Sequence, residues 1–229
     1  MKTEWSDDAA LFKLIEDELF SCVIGDVLDR LGYTNQYLPP ELKPIRPDVF
    51  LIGRAMTVLE KDCAEIEGHV KEETTAFGKM FDALDDLKPG EIYLCAGSRE
   101  PYACWGELMS TRAQLLGARG AVVEGYSRDT RGVLGLNFPC FSLGFYGQDQ
   151  KFRGEVVDWR CPIVFSNGVV VNDGDVVVGD IDGIVIIPKA VEREALQGAL
   201  EKVRAESMVA KKIREGMPTR EVWDTYGVM

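Results

Sequence analysis

Three side chains in one stretch are of the types that handle small carboxylate substrates. They are Glu107, Arg128 and Asp129, within WGELMSTRAQLLGARGAVVEGYSRD from Trp105 to Asp129. A carboxylate can hold a hard divalent cation. A guanidinium can neutralise an oxygen that gains negative charge. The surrounding pattern indicates how they could meet. Gly106-Glu107 precedes a helical pattern with Leu108, Met109, Leu115 and Leu116 as its apolar positions, which Gly117 and Gly120 break. Ala121-Val122-Val123 reads as a short buried strand, and Gly125 as a turn before Arg128-Asp129. A helix start thus carries one acid, and a strand end carries the Arg-Asp pair. In open α/β sheets, ligands sit at strand carboxyl ends beside helix N-termini. The first N–H groups of such a helix lack intrahelical partners and suit an anion. The segment is expected to set a carboxylate-binding nest, a metal-binding acid and a guanidinium around one small pocket. An Arg beside an Asp at a strand end is also what a surface ion pair of little energetic weight looks like. Spacing alone leaves both readings open.

The elements that must position this stretch follow from periodicity. Asp7 to Leu31 reads as helix with one interruption: Phe12, Ile15, Leu19 and Phe20 form an apolar stripe, and the pattern restarts at Ser21 and stops at Gly32. Tyr33 to Asp48 reads as loop, closed off by Pro39, Pro40, Pro44 and Pro47. Arg54 to Leu59 is a strand, Lys71 to Leu87 a helix with Phe77, Met80, Phe81 and Leu84 inward, and Glu91 to Ala96 a strand. Thr130 to Leu136 is a short helix or loop, Phe138 to Leu143 a short strand, and Gly144 to Gly154 an exposed loop. From Glu155 short β-type runs dominate, with Asn167-Gly168 and Asp173-Gly174 as hairpin signals. A long helix from about 190 to 216 and a last helical turn, docked by Trp223 and Tyr226, close the chain. Alternation that gives way to hairpins fits a layered β/β/α domain of the α/β class better than a doubly wound sheet. No repeat or linker divides residues 1–229, so one domain is expected.

Composition narrows the function classes. The 229 residues carry 26 basic and 38 acidic side chains, a net charge of −12, with no basic run. A polyanion such as nucleic acid is repelled on average. The cysteines at 22, 63, 95, 104, 140 and 161 form no C-x-x-C pair, which argues against a structural zinc site and for a reducing compartment. His69 is the only histidine, so a Ser-His-Asp triad and a His-rich metal site are disfavoured, and a surface or supporting role is expected for it. The opening MKTEWSDDAA is acidic rather than basic-then-apolar, and no apolar run approaches the ~20 residues that span a bilayer, so a cytoplasmic location is expected.

Glu107, twenty further residues and Arg128-Asp129 resemble the acid-x20-Arg-Asp signature of RraA-like proteins. The resemblance extends to SCVIGDVLDRLG (Ser21 to Gly32), Leu38-Pro39-Pro40, GRAMTV (Gly53 to Val58) and the β region from Arg153 to Pro188, so it covers roughly Leu11 to Gly227. That family includes metal-dependent 4-hydroxy-4-methyl-2-oxoglutarate and 4-carboxy-4-hydroxy-2-oxoadipate aldolases. It also includes the regulator of ribonuclease activity, which is not an enzyme. The resemblance implies a swivelling-domain-like single domain and a lyase of the class II pyruvate aldolase type. Such a lyase cleaves a 4-hydroxy-2-oxo acid to pyruvate and a second carbonyl compound, with oxaloacetate decarboxylation as a related activity. It implies Mg²⁺ or Mn²⁺ held by Asp129 and, through water, by Glu107. Arg128 would bond the keto or hydroxyl oxygen, and the amides of Gly106, Glu107, Leu108 and Met109 would hold the substrate carboxylate. It implies a homotrimer or a dimer of trimers with the C-terminal helix at a subunit interface, and Glu206 from the neighbouring subunit completing the metal surroundings. The partners would be small 2-oxo acids, not nucleic acid or membrane. The ribonuclease regulator lacks the aspartate after the arginine, so Asp129 favours the enzyme over a non-catalytic binding protein. A methyltransferase reading finds no glycine-rich S-adenosylmethionine loop. One departure stands out: the aldolases carry an acid three residues past the aspartate, and here that position is Gly132, after Thr130 and Arg131.

Overall fold

The computed structural model describes residues 5–69 and 76–227. Two helices open it, α1 (Asp8–Glu18) and α2 (Ser21–Arg30). Between them Leu19 and Phe20 are extended, with φ −115° and −148°. Asp7 starts α1 by accepting the Ala10 N–H at 2.9 Å, which satisfies one unpaired helix-start donor. The proline-rich loop yields only β1 (Lys43–Pro44) before the long strand β2 (Leu51–Asp62). Then follow α3 (Met80–Asp85), β3 (Glu91–Ala96), β4 (Ala103–Trp105), α4 (Glu107–Leu115), β5 (Gly120–Val123), β6 (Tyr126–Ser127), α5 (Thr130–Leu136) and β7 (Cys140–Ser142). The β-rich part comprises β8 (Gly154–Trp159), β9 (Ile163–Val164), β10 (Val170–Val171), β11 (Val176–Gly179) and β12 (Ile184–Ile187). Helices α6 (Glu192–Arg214) and α7 (Thr219–Tyr226) end it.

The main sheet runs β1-β7-β5-β3-β2-β11-β12, with β8 on the far half of β2. Pairing is parallel from β2 through β3 and β5 to β7, where helices cross between strands, and antiparallel where β11, β12 and β8 join. Side chains alternate between the two faces with the strand period of two. On β2, Ile52, Met56 and Val58 pack under the helices, while Leu51 and Ala55 belong to a separate core on the opposite face. That opposite core is closed by Ile163 of β9, Val171 of β10, Phe165, and Leu38 and Leu42 of the proline-rich loop. The layers are therefore helices, main sheet, and a small β-hairpin layer, which is the β/β/α arrangement. α1, α2 and α6 cover the β2-β11-β12 half. Between them α3, α4 and α5 supply Met80, Ala113 and Val133 to the β2-β3-β5 half.

Several elements differ from expectation. The strand predicted for 54–59 extends to Leu51–Asp62 because β8 continues its pairing. The helix predicted for 71–87 is described only as Met80–Asp85, and residues 70–75 lie outside the described part. Its phase leaves Phe81 exposed at 59%, while Met80 and Leu84 are buried. Asn167-Gly168 does turn the β9–β10 hairpin. Asp173-Gly174 instead carries the chain from β10 to β11, which pairs with β2 and β12. α7 docks through buried Val222, and Trp223 is half exposed. No helix among the described residues is long and apolar enough to cross a membrane.

Candidate functional site

The predicted site residues, with twenty residues between Glu107 and Arg128, are delivered by a two-stranded parallel ribbon off the main sheet. β4 pairs with β6, Trp105 opposite Ser127. The Arg128 N–H donates to the Trp105 carbonyl at 2.9 Å. Each strand then delivers its residues at the same level: β4 runs into Gly106 and the start of α4, and β6 into Arg128-Asp129 and the start of α5. Gly106 is the N-cap of α4 and supplies no capping side chain. The Asp129 carboxylate fills that space: a Cβ on Gly106 would lie 2.9 Å from its Oδ2. Asp129 itself caps α5 in the left-handed region, φ 55° and ψ 36°. Only glycine and, less easily, Asn or Asp adopt that region routinely, and such residues cluster at functional sites.

The floor beneath the ribbon is rigid. Trp105 is 1% exposed, stacks on Phe138 with centroids 6.0 Å apart and donates from Nε1 to Ser110 Oγ at 2.8 Å. The Ser110 hydroxyl in turn donates to the Gly106 carbonyl at 3.0 Å. These bonds tie the start of α4 to the core. The loop after β7 runs beside β6, with Ser127 donating to the Gly144 carbonyl and accepting from Tyr146 N–H. That loop brings in Asp149, whose Oδ1 lies 3.3 Å from Arg128 Nη1. Arg128 Nε is 3.9 Å from Asp129 Oδ2, so the adjacent pair is loose and the guanidinium is oriented mainly from across the loop.

A cavity of about 400 Å³ opens here. Gly106, Leu108, Met109, Arg128 and Asp129 line it, as expected, and Asp149 and Gln150 join them. Phe77, Met80, Phe81 and Leu84 form its apolar wall, so residues predicted as plain core also shape the pocket. Trp105 reaches it from below. Of its cations, Arg112 is held by Asp85 at 2.7 Å and Arg128 by Asp149. Glu107 is exposed and turns toward α5 rather than into the cavity. Its carboxylate occupies the space that a Cβ at position 132 would need. The missing acid at 132 and the longer acid at 107 are thus two sides of one arrangement.

Glu206 stands elsewhere in the single chain. It is bonded to Lys202 Nζ at 2.9 Å on α6 and lines a separate shallow cavity with Phe20 and Val203. Lys202 also bonds Asp26 of α2, which ties that helix to α6.

A buried polar network behind the pocket was not anticipated. Glu60, 1% exposed, accepts from Gln150 Nε2 at 2.7 Å and from the Tyr102 hydroxyl at 3.2 Å. The same hydroxyl lies 2.9 Å from Asp62 Oδ1, and Asp62 accepts the Arg99 and Glu100 N–H groups. Burial pushes the Glu60 carboxyl up to about 8, opposed by its hydrogen bonds from Gln150 and Tyr102. Burial likewise holds the Cys95 and Cys104 thiols well above their usual range. All six cysteines are free of disulfides.

With this geometry, the family relationship is direct. The family model described as "RraA-like: Aldolase/RraA" matches residues 21–186, and the chain belongs to that family. A Halalkalibacterium halodurans protein named "Putative 4-hydroxy-4-methyl-2-oxoglutarate aldolase" is 31% identical over 180 residues, covering 78% of this chain and 77% of that one. Protein DlpA of Legionella pneumophila is 26% identical over 209 residues, 90% of this chain but 32% of its own length, so this chain spans about a third of that relative. Streptomyces coelicolor RraAS2, described as an unusual member of the RNase ES inhibitor RraA protein family, superposes with a TM-score of 0.75 at 22% identity. The match covers 89% of this chain and 98% of that chain, and it speaks for the fold.

Proposed function

We propose that the pocket at Arg128 and Asp129 is the active site of a divalent-metal-dependent lyase. It would cleave a 4-hydroxy-2-oxo acid to pyruvate and a second carbonyl compound, with oxaloacetate decarboxylation as a related activity. The observation that carries this reading is the β4–β6 pairing, which sets the uncapped start of α4 beside Arg128 and Asp129. The donors suit a hard cation. Asp129 offers carboxylate oxygens only, its side chain is 48% exposed, and no lysine lines the pocket to compete for it, while Glu107, turned toward α5, stands outside this donor set. Mg²⁺ or Mn²⁺ fits such a set and keeps several waters. When bound, the cation would supply Lewis-acid polarisation of the 2-oxo carbonyl.

The chain's own groups supply the rest. The free N–H groups at Glu107, Leu108 and Met109 face where a substrate carboxylate would dock. As the C3–C4 bond breaks, the 4-hydroxyl gives its proton to a water in the pocket and becomes the new carbonyl, while the bonding electron pair passes to C3, which takes a proton from solvent to become the pyruvate methyl group. Arg128, steadied by Asp149, donates to the oxygen on which that charge grows. Phe77, Met80 and Leu84 exclude water from the far wall. Because Arg112 and Arg128 both already face an aspartate, a second or third substrate carboxylate finds no unpaired cation in the lining. The group on C4 is therefore apolar or neutral in this reading, in contrast to a 2-oxoglutarate-type tail. Exposed Leu108, at 82%, and Leu115, at 77%, fit an assembly of three or six chains that buries the α4 surface. Light scattering would then give a multiple of three chains, and a 25.5 kDa species would refute it.

Pyruvate release from a panel of 4-hydroxy-2-oxo acids and oxaloacetate, with Mg²⁺ and with EDTA, tests the reading. Cleavage of apolar C4 substrates that vanishes with chelation is expected. No release from any member would favour a non-catalytic binding role like that of the ribonuclease regulator.

A further inference from the structure

Cys63, His69 and Glu155 form a second group of ligand-bearing side chains. One ligand atom from each lies within 4.8 Å of the other two. They come from three segments. Cys63 begins the 3-10 turn (Cys63–Glu65) after β2, His69 follows it, and Glu155 lies on β8 opposite Lys61 of β2. The Cys63 N–H donates to the Arg153 carbonyl at 2.7 Å, which folds the turn back onto the start of β8. The His69 N–H donates to the Ile66 carbonyl at 3.2 Å and closes the loop above it.

The cluster is sheltered: Cys63 is 7% exposed, and the His69 and Glu155 side chains are 10% and 14% exposed. His69 Nδ1 lies 3.1 Å from Glu155 Oε1, while Nε2 is buried without a hydrogen-bond partner among the described residues. A cation bound at Nδ1, the nitrogen that faces Glu155, would engage the imidazole lone pair while the carboxylate and a thiolate offset its charge. A cavity of about 480 Å³, lined by Asp62, Cys63, His69 and Glu100 among others, adjoins the cluster and leaves room for a water on the cation.

We propose that Cys63, His69 and Glu155 bind a borderline-soft divalent cation such as Zn²⁺, at a site separate from the oxygen-only ligands of Asp129. Sulfur, nitrogen and oxygen donors in a sheltered three-residue set match zinc and not magnesium. Binding takes the Cys63 thiol proton to solvent, so it strengthens as pH rises. The site fastens the turn after β2 to β8, at the start of the stretch whose later residues, Phe77 and Met80, wall the Arg128 pocket. The absence of a C-x-x-C motif does not exclude it, because its ligands are assembled by the β2–β8 register rather than by one short loop.

Cobalt substitution of the full-length, metal-stripped protein is the test. One equivalent of Co²⁺ should give a near-ultraviolet thiolate-to-metal charge-transfer band, which Zn²⁺ removes and Mg²⁺ leaves intact. Zn²⁺ at one hundred times its Kd should raise the Tm by roughly 5–10 °C. Cys63→Ala should abolish the band, and His69→Ala should weaken Co²⁺ binding at least tenfold. Should either variant fail to fold, the wild-type band and the Zn²⁺-dependent Tm decide the matter. Wild-type protein with neither signal would overturn the proposal. So would a band that persists in folded Cys63→Ala, since another thiol would then hold the metal.

Discussion

The Arg128–Asp129 pocket and the Cys63–His69–Glu155 cluster sit on one sheet and differ in almost every physical respect. The first is partly open, lined by oxygen donors and apolar walls, and built from the ends of two short neighbouring strands. The second is closed, mixes sulfur, nitrogen and oxygen, and is assembled from a turn, a loop residue and a strand far along the chain. Openness and hard ligands suit a cation that must exchange water for substrate. Closure and softer ligands suit one that stays. The same contrast explains what the sequence discloses. Gly106, Arg128 and Asp129 lie within one strand-helix-strand unit, so spacing shows them, whereas Asp149 and the apolar wall come from other segments. Glu155 lies far along the chain from Cys63 and His69, and the β2–β8 register brings it to them.

Substitutions can separate the two regions, beginning with the largest effect. Asp129→Ala should remove Mg²⁺ affinity and pyruvate production together while leaving any Zn²⁺-dependent gain in Tm in place. Titration calorimetry and steady-state kinetics on the folded variant check both. If the rate survives, the pocket is misplaced and a surface ion pair describes the motif better. Arg128→Ala should retain metal and lose on the order of 10²–10³ in kcat, with KM changed less. Arg128→Lys should recover little of that, since an ammonium lacks the planar fork that meets Asp149 and the substrate oxygen. A near-normal kcat in Arg128→Ala would remove the guanidinium from the chemistry.

Gly132→Ala sharpens the comparison at the pocket's edge. The added methyl overlaps the Glu107 carboxylate, the far end of an exposed side chain, so the acid must move, which offsets part of the roughly 1 kcal/mol that alanine gains over glycine inside a helix. Glu107→Ala should relieve the clash, and a double-mutant cycle by thermal unfolding should show coupling between the two positions. Additivity would mean that the acid has room to swing away.

The smallest effect concerns Glu60. Its folded pKa of about 8 lies above the ordinary carboxyl value of 4.5. The folded state therefore keeps a proton that the unfolded state gives up as pH rises between these values. The stability contribution is complete below the unfolded pKa and is lost as pH climbs through about 8. Glu60→Gln mimics the protonated acid and should flatten the fall in Tm between pH 5 and 8 relative to wild type. An unchanged slope would assign that fall to other groups.

Much of the fold could be read from local pattern because local physics decides it. The first helices break before Ser21, where the restart is expected, although Leu19 and Phe20, read as part of the helical stripe, are extended there and Phe20 is exposed; the glycine breaks after α4 stand where expected. The β/β/α layering follows from hairpin signals after Glu155. Phase was the weak point: α3 is described only from Met80, so the inward set contains Met80 and Leu84 without Phe81. Asp173-Gly174 has the composition of a hairpin turn, but Arg160 takes Asp173 at 3.2 Å and β11 pairs elsewhere. The Glu60–Gln150–Tyr102–Asp62 network was invisible for a different reason. Its members are separated by up to 90 positions, and Gln150 sits in a glycine-containing loop whose composition reads as exposed. Nothing in a single sequence signals a buried hydrogen bond of that range.

The central claim is that the Arg128–Asp129 pocket stabilises the enolate of pyruvate with the help of a hard cation. Proton exchange at the pyruvate methyl group tests it without knowledge of the C4 substituent. In deuterated buffer, protein with Mg²⁺ should erase the methyl signal in proton magnetic resonance. EDTA should stop the loss, and Asp129→Ala should show none. Methyl exchange by fully chelated protein at the Mg²⁺ rate, or no exchange by the metal-loaded wild-type protein, would contradict the claim.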